Sequence, residues 1–160
     1  MSCKAHTACT SDKYETTAPT ATNDRTCTPY EGTCANGALI AQASRTQNNH
    51  CGSCNSGYQI TGTTCTAYAG TCANGELIVQ ASRTQKDHCG SCSAGFYLQN
   101  KECIICPPGS RCNGGTVAPR TCNAGEYSKA QALKCSKCPP DHFSGTGAST
   151  CNPQTYCGPG

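Results

Sequence analysis

The sequence predicts a small disulfide-rich fold: an elongated tandem array of loops and short two-stranded β-ribbons, with little or no helix. Three observations lead to this prediction. Cysteine supplies 18 of the 160 residues, a density typical of disulfide scaffolds. Only 14 residues are Leu, Ile, Val, Met or Phe, and there is no Trp. Burial of so few large apolar side chains does not offset ~1–2 kcal/mol of backbone entropy per residue. The third observation is an internal repeat.

The repeat has a period of 38 residues. Residues 34–54 are "CANGALIAQASRTQNNHCGSC" and residues 72–92 are "CANGELIVQASRTQKDHCGSC". Over the longer segments 30–65 and 68–103, 22 of 36 positions are identical. Such self-similarity indicates a chain of small units that contact mainly their neighbours. The predicted units are an N-terminal cysteine-rich module (1–29), repeat 1 (30–67), repeat 2 (68–105) and C-terminal cysteine-rich modules (106–160).

The N-terminal module is predicted to contain the same large loop as the repeats. Seventeen residues separate Cys9 from Cys27, and sixteen separate Cys34 from Cys51. The Thr-rich stretch 16–22 in this loop is an expected acceptor of O-linked sugars, with an ordinary loop edge as the alternative. The chain contains no Asn-x-Ser/Thr sequon for N-linked sugars.

Turn chemistry predicts the local structure of the two repeats. Each Asn-Gly pair predicts a two-residue hairpin turn, followed by a short strand. Each repeat then ends in a strand, a turn and a second strand. The predicted turns are Asn36-Gly37, Asn74-Gly75, Thr61-Gly62 and Gln99-Asn100, and the strands after the Asn-Gly pairs are 38–42 and 76–80.

The C-terminal modules have a different cysteine pattern. The segments "CNAGEYSKAQALKC" (122–135) and "CPPDHFSGTGASTC" (138–151) each enclose 12 residues and share an aromatic residue and a Ser at the same places. Helical periodicity is confined to a short stretch at 129–133. The sequence therefore predicts stacked loops and ribbons here as well.

These patterns resemble known extracellular modules. The segment 106–151, "CPPGSRCNGG…CNAGEYSKAQALKCSKCPPDHFSGTGASTC", resembles ephrin-receptor-like cysteine-rich repeats. The segment "KYETTAPTATNDRTC" (13–27) looks like the first loop of a tumour-necrosis-factor-receptor-type module. The tandem "TCANG…HCGSC" unit is similar to cysteine-rich repeats of large protist surface proteins. The even number of cysteines is consistent with nine bridges, and because such bridges persist in oxidising compartments we expect an extracellular or lumenal protein.

The resemblance also implies a sequential disulfide pattern, in which the first Cys of each Cys-x-x-Cys closes one loop and the second opens the next. The implied pairs are Cys9–Cys27, Cys34–Cys51, Cys54–Cys65, Cys72–Cys89, Cys92–Cys103, Cys106–Cys112, Cys122–Cys135 and Cys138–Cys151. Cys3 and Cys157 are left for pairing outside the chain or between chains. A crossed pattern, with Cys51–Cys65 and Cys54–Cys72, is the alternative, because sequence does not fix connectivity.

The cysteine spacing favours disulfide bonds over metal binding and redox catalysis. A His precedes one Cys-x-x-Cys in each repeat, so "HCGSC" offers three zinc ligands, but every Cys also has a loop partner in register. His50 and His88 are therefore predicted to be turn residues beside a bridge. The α/β setting and the helix that a thioredoxin-type Cys-x-x-Cys needs are missing. We predict no catalytic residue, no cofactor and no metal, and acids near Asn23-Asp24 and Lys86-Asp87 are too sparse for calcium.

Charge and hydropathy exclude two classes of partner. The net charge is +3, charged residues make up 13%, and no two basic residues are adjacent, so a nucleic-acid-binding stripe is not expected. No apolar run is long enough to cross a membrane. Residues 1–10 lack the apolar core of a signal peptide, so we expect a mature form or a fragment of a longer chain. The ending "TYCGPG" favours the fragment.

The predicted function is structural. We expect an extracellular or cell-surface segment that forms a disulfide-stapled rod for a filament, coat or adhesion, with copies of itself or other surface proteins as partners. The alternative is the ligand-binding ectodomain of a receptor. "QASRTQ" is repeated more faithfully than loop closure requires. Its residues Gln42, Arg45, Gln47, Gln80, Arg83 and Gln85 are the candidate self-association surface.

Overall fold

The computed structural model describes residues 6–155 and contains eight two-stranded antiparallel sheets. Each sheet pairs two strands that are consecutive in the chain. The strands are β1 (Lys13–Thr17), β2 (Thr26–Pro29), β3 (Gly37–Leu39), β4 (Cys51–Cys54), β5 (Tyr58–Thr61), β6 (Thr64–Ala67), β7 (Gly75–Leu77), β8 (Cys89–Cys92), β9 (Phe96–Gln99), β10 (Glu102–Ile105), β11 (Ser110–Arg111), β12 (Arg120–Thr121), β13 (Glu126–Tyr127), β14 (Ser136–Lys137), β15 (His142–Phe143) and β16 (Asn152–Pro153).

The predicted fold class is confirmed: a small, disulfide-rich tandem array. Across residues 6–155, helical structure is limited to two single turns of 3-10 helix, Gln42–Ser44 and Gln80–Ser82. The stretch 129–133 forms a turn, with Gln131 at φ 65°. No helix within 6–155 is long and apolar enough to cross a membrane.

Sulfur takes the place of an aliphatic core. The buried apolar residues of the described chain are all cysteines: Cys51, Cys89, Cys92, Cys106, Cys112 and Cys122. The buried polar residues are His88, Ser128 and Ser144. The bridges therefore supply most of the order, each contributing on the order of 2–4 kcal/mol.

The eight disulfides of the described chain follow the sequential pattern, and the crossed pairs do not occur. They are Cys9–Cys27, Cys34–Cys51, Cys54–Cys65, Cys72–Cys89, Cys92–Cys103, Cys106–Cys112, Cys122–Cys135 and Cys138–Cys151. Cys3 and Cys157 lie outside the described residues. Because bridges of this kind persist in oxidising compartments, the chain belongs in an oxidising environment.

The chain divides into two compact units. One comprises Met1–Tyr68 with Gln80–Thr84, and the other comprises Ala69–Val79 with Gln85–Gly160. The segment Gln80–Thr84, which includes most of the second "QASRTQ", thus packs with the first unit. The unit boundaries do not follow the boundaries of the sequence repeat.

The Asn-Gly pairs form turns, but the predicted hairpins across them are wrong. Asn36 and Asn74 both have φ of 60°, in the left-handed region that Asn tolerates. Strand β3, which follows Asn36, pairs with β4 some 12 residues further on and not with a strand before the turn. The polypeptide between β3 and β4 is closed by Cys34–Cys51, which makes a local hairpin partner unnecessary.

The hairpins after each Cys-x-x-Cys do occur, with their turns shifted by one residue. Strands β5 and β6 meet around Gly62 and Thr63, and Thr61 pairs with Thr64. In the second repeat Asn100 and Lys101 form the turn. Gly62 at φ 62° supplies the left-handed conformation in the first case, and Asn100 and Lys101 supply it in the second.

Candidate functional site

The most often repeated local feature of the structure is the base of a hairpin on which a later segment of the chain rests, which we call a joint. Its centre, the anchor residue, is the third residue after the opening Cys in six of the eight disulfide loops of the described chain, those opened by Cys9, Cys54, Cys92, Cys106, Cys122 and Cys138. In each case the anchor carbonyl accepts a backbone N–H from a residue 11 to 18 positions further on. The pairs are Tyr30–Asp12 (3.1 Å), Tyr68–Gly57 (2.9 Å), Cys106–Gly95 (2.9 Å), Cys122–Gly109 (2.9 Å), Cys138–Gly125 (2.9 Å) and Gln154–Asp141 (2.7 Å), with the donor first.

The first anchor residue changes the interpretation of the N-terminal module. Because Asp12 accepts from Tyr30 as Gly57 accepts from Tyr68, the Cys9–Cys27 loop is equivalent to the Cys54–Cys65 hairpin. Its strands β1 and β2 pair as β5 and β6 do. The predicted equivalence with the Cys34–Cys51 loop is therefore wrong. Loop length alone suggested it, and loop length does not report strand pairing.

In the first unit, the "QASRTQ" segment completes the joint. The Gln42 side chain donates through Nε2 to the anchor carbonyl of Asp12 (3.4 Å). Arg45 donates through Nη1 to the carbonyl of Tyr30 (3.1 Å) and to Oε1 of Gln42 (2.7 Å), and through Nε to the carbonyl of Ile40 (3.1 Å). One guanidinium thus joins two backbone carbonyls and the amide oxygen of Gln42, using the fork geometry that Lys lacks.

The second "QASRTQ" repeats this arrangement on the next anchor. Gln80 donates through Nε2 to the carbonyl of Gly57 (2.6 Å). Arg83 donates through Nη1 to the carbonyl of Tyr68 (3.1 Å) and to Oε1 of Gln80 (2.9 Å). Gly57 has φ of 87°, and a Cβ there would lie 2.1 Å from the carbonyl oxygen of Gln80. This anchor needs glycine because the segment around Gln80 rests directly on it.

The remaining two Gln residues of the candidate self-association surface also have partners within the chain. The Gln47 side chain donates through Nε2 to Oγ1 of Thr63, and Lys101 donates through Nζ to Oε1 of Gln85 (3.3 Å). All six side chains of that surface are thus engaged in intrachain hydrogen bonds. The joint accounts for the faithful repetition of "QASRTQ", and self-association through these residues stays a prediction.

In the second unit, serine and backbone groups complete the joint. Ser128 and Ser144, both buried, donate through Oγ to the carbonyls of Ser110 and Glu126, each at 2.7 Å. Their own carbonyls accept the anchor N–H groups of Gly109 (2.9 Å) and Gly125 (3.0 Å). These are the shared Ser positions of the two C-terminal loops.

A 16-residue repeat underlies these contacts. Cys112 lies six residues after Cys106, as Ser128 and Ser144 lie six residues after Cys122 and Cys138. Its carbonyl accepts the anchor N–H of Gly95 (3.0 Å), in the same way as the two serines. The Cys106–Cys112 bridge thus occupies the serine position of the joint. Every anchor follows a Cys in the pattern Cys-x-x-Gly or Cys-x-x-Asp, but the same pattern begins at Cys34, Cys72 and Cys112, so it does not identify the anchors by itself.

Two sets of sulfur atoms meet within the repeats. The Sγ atoms of Cys34, Cys51 and Cys65 lie within 4.8 Å of one another, and so do those of Cys72, Cys89 and Cys103. All six belong to disulfides, so two bridges contact each other in each repeat. The sulfurs therefore act here as fasteners, and as metal ligands only after reduction.

The two histidines before Cys-x-x-Cys lie beside these bridges. Nδ1 of His50 faces the backbone N–H (3.2 Å) and the hydroxyl (3.3 Å) of Thr46, and the His50 carbonyl accepts from Ile40 (3.0 Å). His88 is buried, and its carbonyl accepts from Ile78 (3.0 Å). These contacts place both residues in turns that close the large loops.

Replacing Arg45 by Lys is expected to loosen the first joint. One ammonium group cannot span the three carbonyl acceptors, and charge-assisted hydrogen bonds contribute about 1.5–3 kcal/mol each when both partners are desolvated. Because Arg45 is half-buried, we expect a loss of roughly 1–2 kcal/mol in the free energy of opening. Hydrogen exchange at the Tyr30 amide measures it. The exposed Arg120, changed to Lys, is the control, and equal exchange rates in the two variants would contradict the prediction.

The carboxylate of Asp24 holds the chain near Thr7. The backbone N–H of Thr7 donates to it (3.1 Å), as does that of Arg25 (2.8 Å), and these bonds lower the pKa of Asp24 from 3.8 to about 2. Since the folded pKa is depressed, the contribution is present above pH 3.8 and is lost as the pH falls through about 2. NMR titration is expected to show the Thr7 amide and the Asp24 carboxyl changing together near pH 2. In Asp24→Asn the Thr7 change should vanish, and a midpoint near 3.8 in the native chain would refute the contact.

No protein-family model, curated protein or solved structure matches the chain. Its classification therefore rests on its own residues. The part of this cysteine-rich chain that the structure describes has eight disulfides and repeated two-stranded β-ribbons, an architecture consistent with an extracellular module.

Proposed function

We propose that the chain is a non-catalytic structural segment of an extracellular or cell-surface protein, which positions other parts or copies of the protein in a filament, coat or adhesive layer. The observation that carries the proposal is the joint. Six anchor residues receive the same backbone hydrogen bond, and the contacts added to it are small variations on one arrangement. Structure that is built from one repeated contact suits a spacer whose length scales with the number of units.

The energetics also support a structural role. The described chain buries cysteine and small polar residues rather than an aliphatic core, so its order depends on covalent loops. Short, bridged loops with hydrogen-bonded joints offer few segments that can open for proteolysis. A spacer exposed outside a cell benefits from this property.

The described cysteines bear on the catalytic alternative. All sixteen are bonded in disulfides, so a dithiol role for any Cys-x-x-Cys would first require reduction. The two histidines are occupied in loop closure rather than placed beside a nucleophile. These contacts support the proposal that the chain carries out no reaction of its own.

The Thr-rich loop supports surface exposure and a place for sugars. The residues 16–22 are exposed apart from a half-buried Pro19. The hydroxyl of Thr16 contacts Oγ1 of Thr28 (3.2 Å), and that of Thr20 accepts from the N–H of Asn23 (3.0 Å). We therefore propose Thr17 and Thr22 as the first acceptors of O-linked sugars in this loop.

One observation favours the receptor alternative. The same groove occurs in both repeats beside the paired bridges, with a volume of about 300 Å³ in the first and about 470 Å³ in the second. The first is lined by the uncharged Asn49 and Thr64, and the second by Asp87 and Glu102 at the equivalent positions. A ligand site confined to a single module requires residues that differ between the two repeats, and these charged residues are such a difference.

The test begins with the oligomeric state of the native protein. Covalent or filamentous polymers, lost on reduction, are expected, and Cys3→Ser combined with Cys157→Ser should remove the covalent ones. A monodisperse monomer that captures one soluble ligand from its native medium would overturn the structural role. In that case Asp87→Asn with Glu102→Thr replaces the two acidic groove residues by those of the first repeat and should abolish capture, with Asn49→Asp as the reciprocal control.

A further inference from the structure

We propose that the first repeat is a covalent attachment site for low-molecular-weight thiols, in which an incoming thiolate opens one bridge and the neighbouring bridge rearranges. The site consists of Cys34, Cys51, Cys54 and Cys65. This inference does not depend on the proposed structural role, because it concerns only the chemistry of these four sulfurs.

The geometry that carries the inference is the contact between two separate bridges. Sγ of Cys34 lies 3.7 Å from Sγ of Cys65, although Cys34 is bonded to Cys51 and Cys65 to Cys54. This separation is close to the sum of two sulfur van der Waals radii. A thiolate released at Cys65 therefore already lies in contact with a disulfide sulfur. Exchange between bridges requires this contact and a route of entry.

Exposure and the thiolate that is released together select the point of entry. Cys34, Cys54 and Cys65 are all half-buried, and Cys54 lies between the exposed residues Ser53 and Asn55, which leaves it open to a small thiolate. Cys51, the other inner cysteine, is only 4% exposed. Attack on Cys54 is the one that releases Cys65, whereas attack on Cys65 would release Cys54 and leave Cys34 untouched.

The second repeat has the same sulfur contact but a covered entry. Sγ of Cys72 lies 3.7 Å from Sγ of Cys103, as in the first repeat. Cys92, the equivalent of Cys54, is 6% exposed. Gly115 bonds to its backbone on both sides, at 3.0 Å and 2.7 Å, and a Cβ on Gly114 would lie 2.6 Å from its carbonyl oxygen. The chain therefore carries its own matched control.

The reaction balances without an oxidant or reductant. The thiolate attacks Sγ of Cys54, the Cys54–Cys65 bond breaks, and the electron pair leaves on Cys65. The Cys65 thiolate then attacks Sγ of Cys34, forming a Cys34–Cys65 bond and breaking Cys34–Cys51. Cys51 leaves as a thiolate and takes a proton from water. One thiol is consumed and one is produced, and the number of disulfides is unchanged.

The experiment uses the oxidised full chain and reduced glutathione at about pH 8, near the usual pKa of a thiol. Samples are quenched with N-ethylmaleimide and digested without reduction. Trypsin and chymotrypsin cleave after Arg45, Tyr58 and Tyr68, which separates Cys34, the Cys51/Cys54 pair and Cys65 into different peptides. Mass spectrometry then reports which cysteines are linked, alkylated or joined to glutathione.

The expected product has a Cys34–Cys65 link, glutathione on Cys54 and N-ethylmaleimide on Cys51. We expect it to exceed the Cys72–Cys103 product by at least ~10-fold, because exchange rates depend on access to the attacked sulfur. Absence of the Cys34–Cys65 link, or equal amounts of the two products, would overturn the proposal.

A variant separates entry from rearrangement. In Cys34→Ser combined with Cys51→Ser, the acceptor bridge is missing, so glutathione on Cys54 should leave Cys65 free and alkylated. If the variant does not fold, the time course of the native chain decides alone: glutathione on Cys54 must appear no later than the Cys34–Cys65 link. A link that precedes the adduct refutes the mechanism.

Discussion

Reduction of the disulfides is expected to abolish the folded structure of both units. Each bridge contributes on the order of 2–4 kcal/mol, and a domain of ordinary size has a net stability of about 5–15 kcal/mol. The eight bridges of the described chain therefore contribute more free energy than the whole net stability of an ordinary domain. Between residues 6 and 155 the buried apolar residues are the cysteines themselves, so this part of the chain keeps no other core after reduction.

The measurement compares the oxidised chain with the chain reduced by a phosphine and alkylated. The oxidised chain should protect the six amides that donate to the anchor residues, including Tyr68 and Cys106, from hydrogen exchange. The alkylated chain should show exchange rates of an unfolded peptide at all six. Protection that survives alkylation would show that the joints hold the ribbons together without the bridges.

Removal of one bridge tests whether the stabilisation is local. Cys122→Ser with Cys135→Ser opens a loop that encloses 12 residues and should weaken protection at Cys138, whose amide donates to the carbonyl of Gly125. A loop of this length corresponds to ~3 kcal/mol. The amide of Tyr68, in the other unit, is the internal reference and should not change. A loss at both amides would instead indicate one cooperative unit.

The fold class was predictable from the sequence because cysteine density and the scarcity of aliphatic residues constrain the whole chain. The hairpin of repeat 1 was predictable to within one residue. Its turn falls on Gly62 and Thr63 rather than on Thr61 and Gly62, because cross-strand pairing of Thr61 with Thr64 decides the register. Turn propensity identifies the residues that can adopt positive φ, but it does not decide which two of them form the turn.

The joint was not predicted, for a physical reason. Arg45 and Gln42 are polar, and in a segment without regular periodicity nothing in the sequence indicates whether such side chains face solvent or backbone. The Cys-x-x-Gly/Asp signal is short and was obscured by the more conspicuous 38-residue repeat. The equivalence of Asp12 with five other anchors becomes visible only through the shared hydrogen bond.

Alanine substitutions at two anchor glycines distinguish the free-energy cost of a clash at the joint from the cost of backbone strain. Gly109 and Gly125 have φ of 77° and 81°, so alanine is disfavoured by its backbone at both positions, by about 1–2 kcal/mol. A Cβ on Gly109 would lie 2.0 Å from the carbonyl oxygen of Gly147, whereas a Cβ on Gly125 would meet nothing within 4 Å. The difference between the two variants is therefore the contact with the following segment.

Gly109→Ala is expected to destabilise the second unit by a further ~1–3 kcal/mol relative to Gly125→Ala, the usual cost of forcing an extra carbon into a packed contact. Because Gly147 donates to the carbonyl of Cys122, and Cys122 to that of Gly109, displacement of this segment should raise exchange at both amides. Denaturant unfolding of the oxidised variants and amide exchange at Cys122 give the two readouts. The distant control is Gly62→Ala in the first unit. Gly62 also has a positive φ, of 62°, and open space around it. Equal destabilisation by Gly109→Ala and Gly125→Ala would mean that the anchor carries only backbone strain. A larger effect at Gly109 would show that glycine at this anchor lets the segment around Gly147 dock.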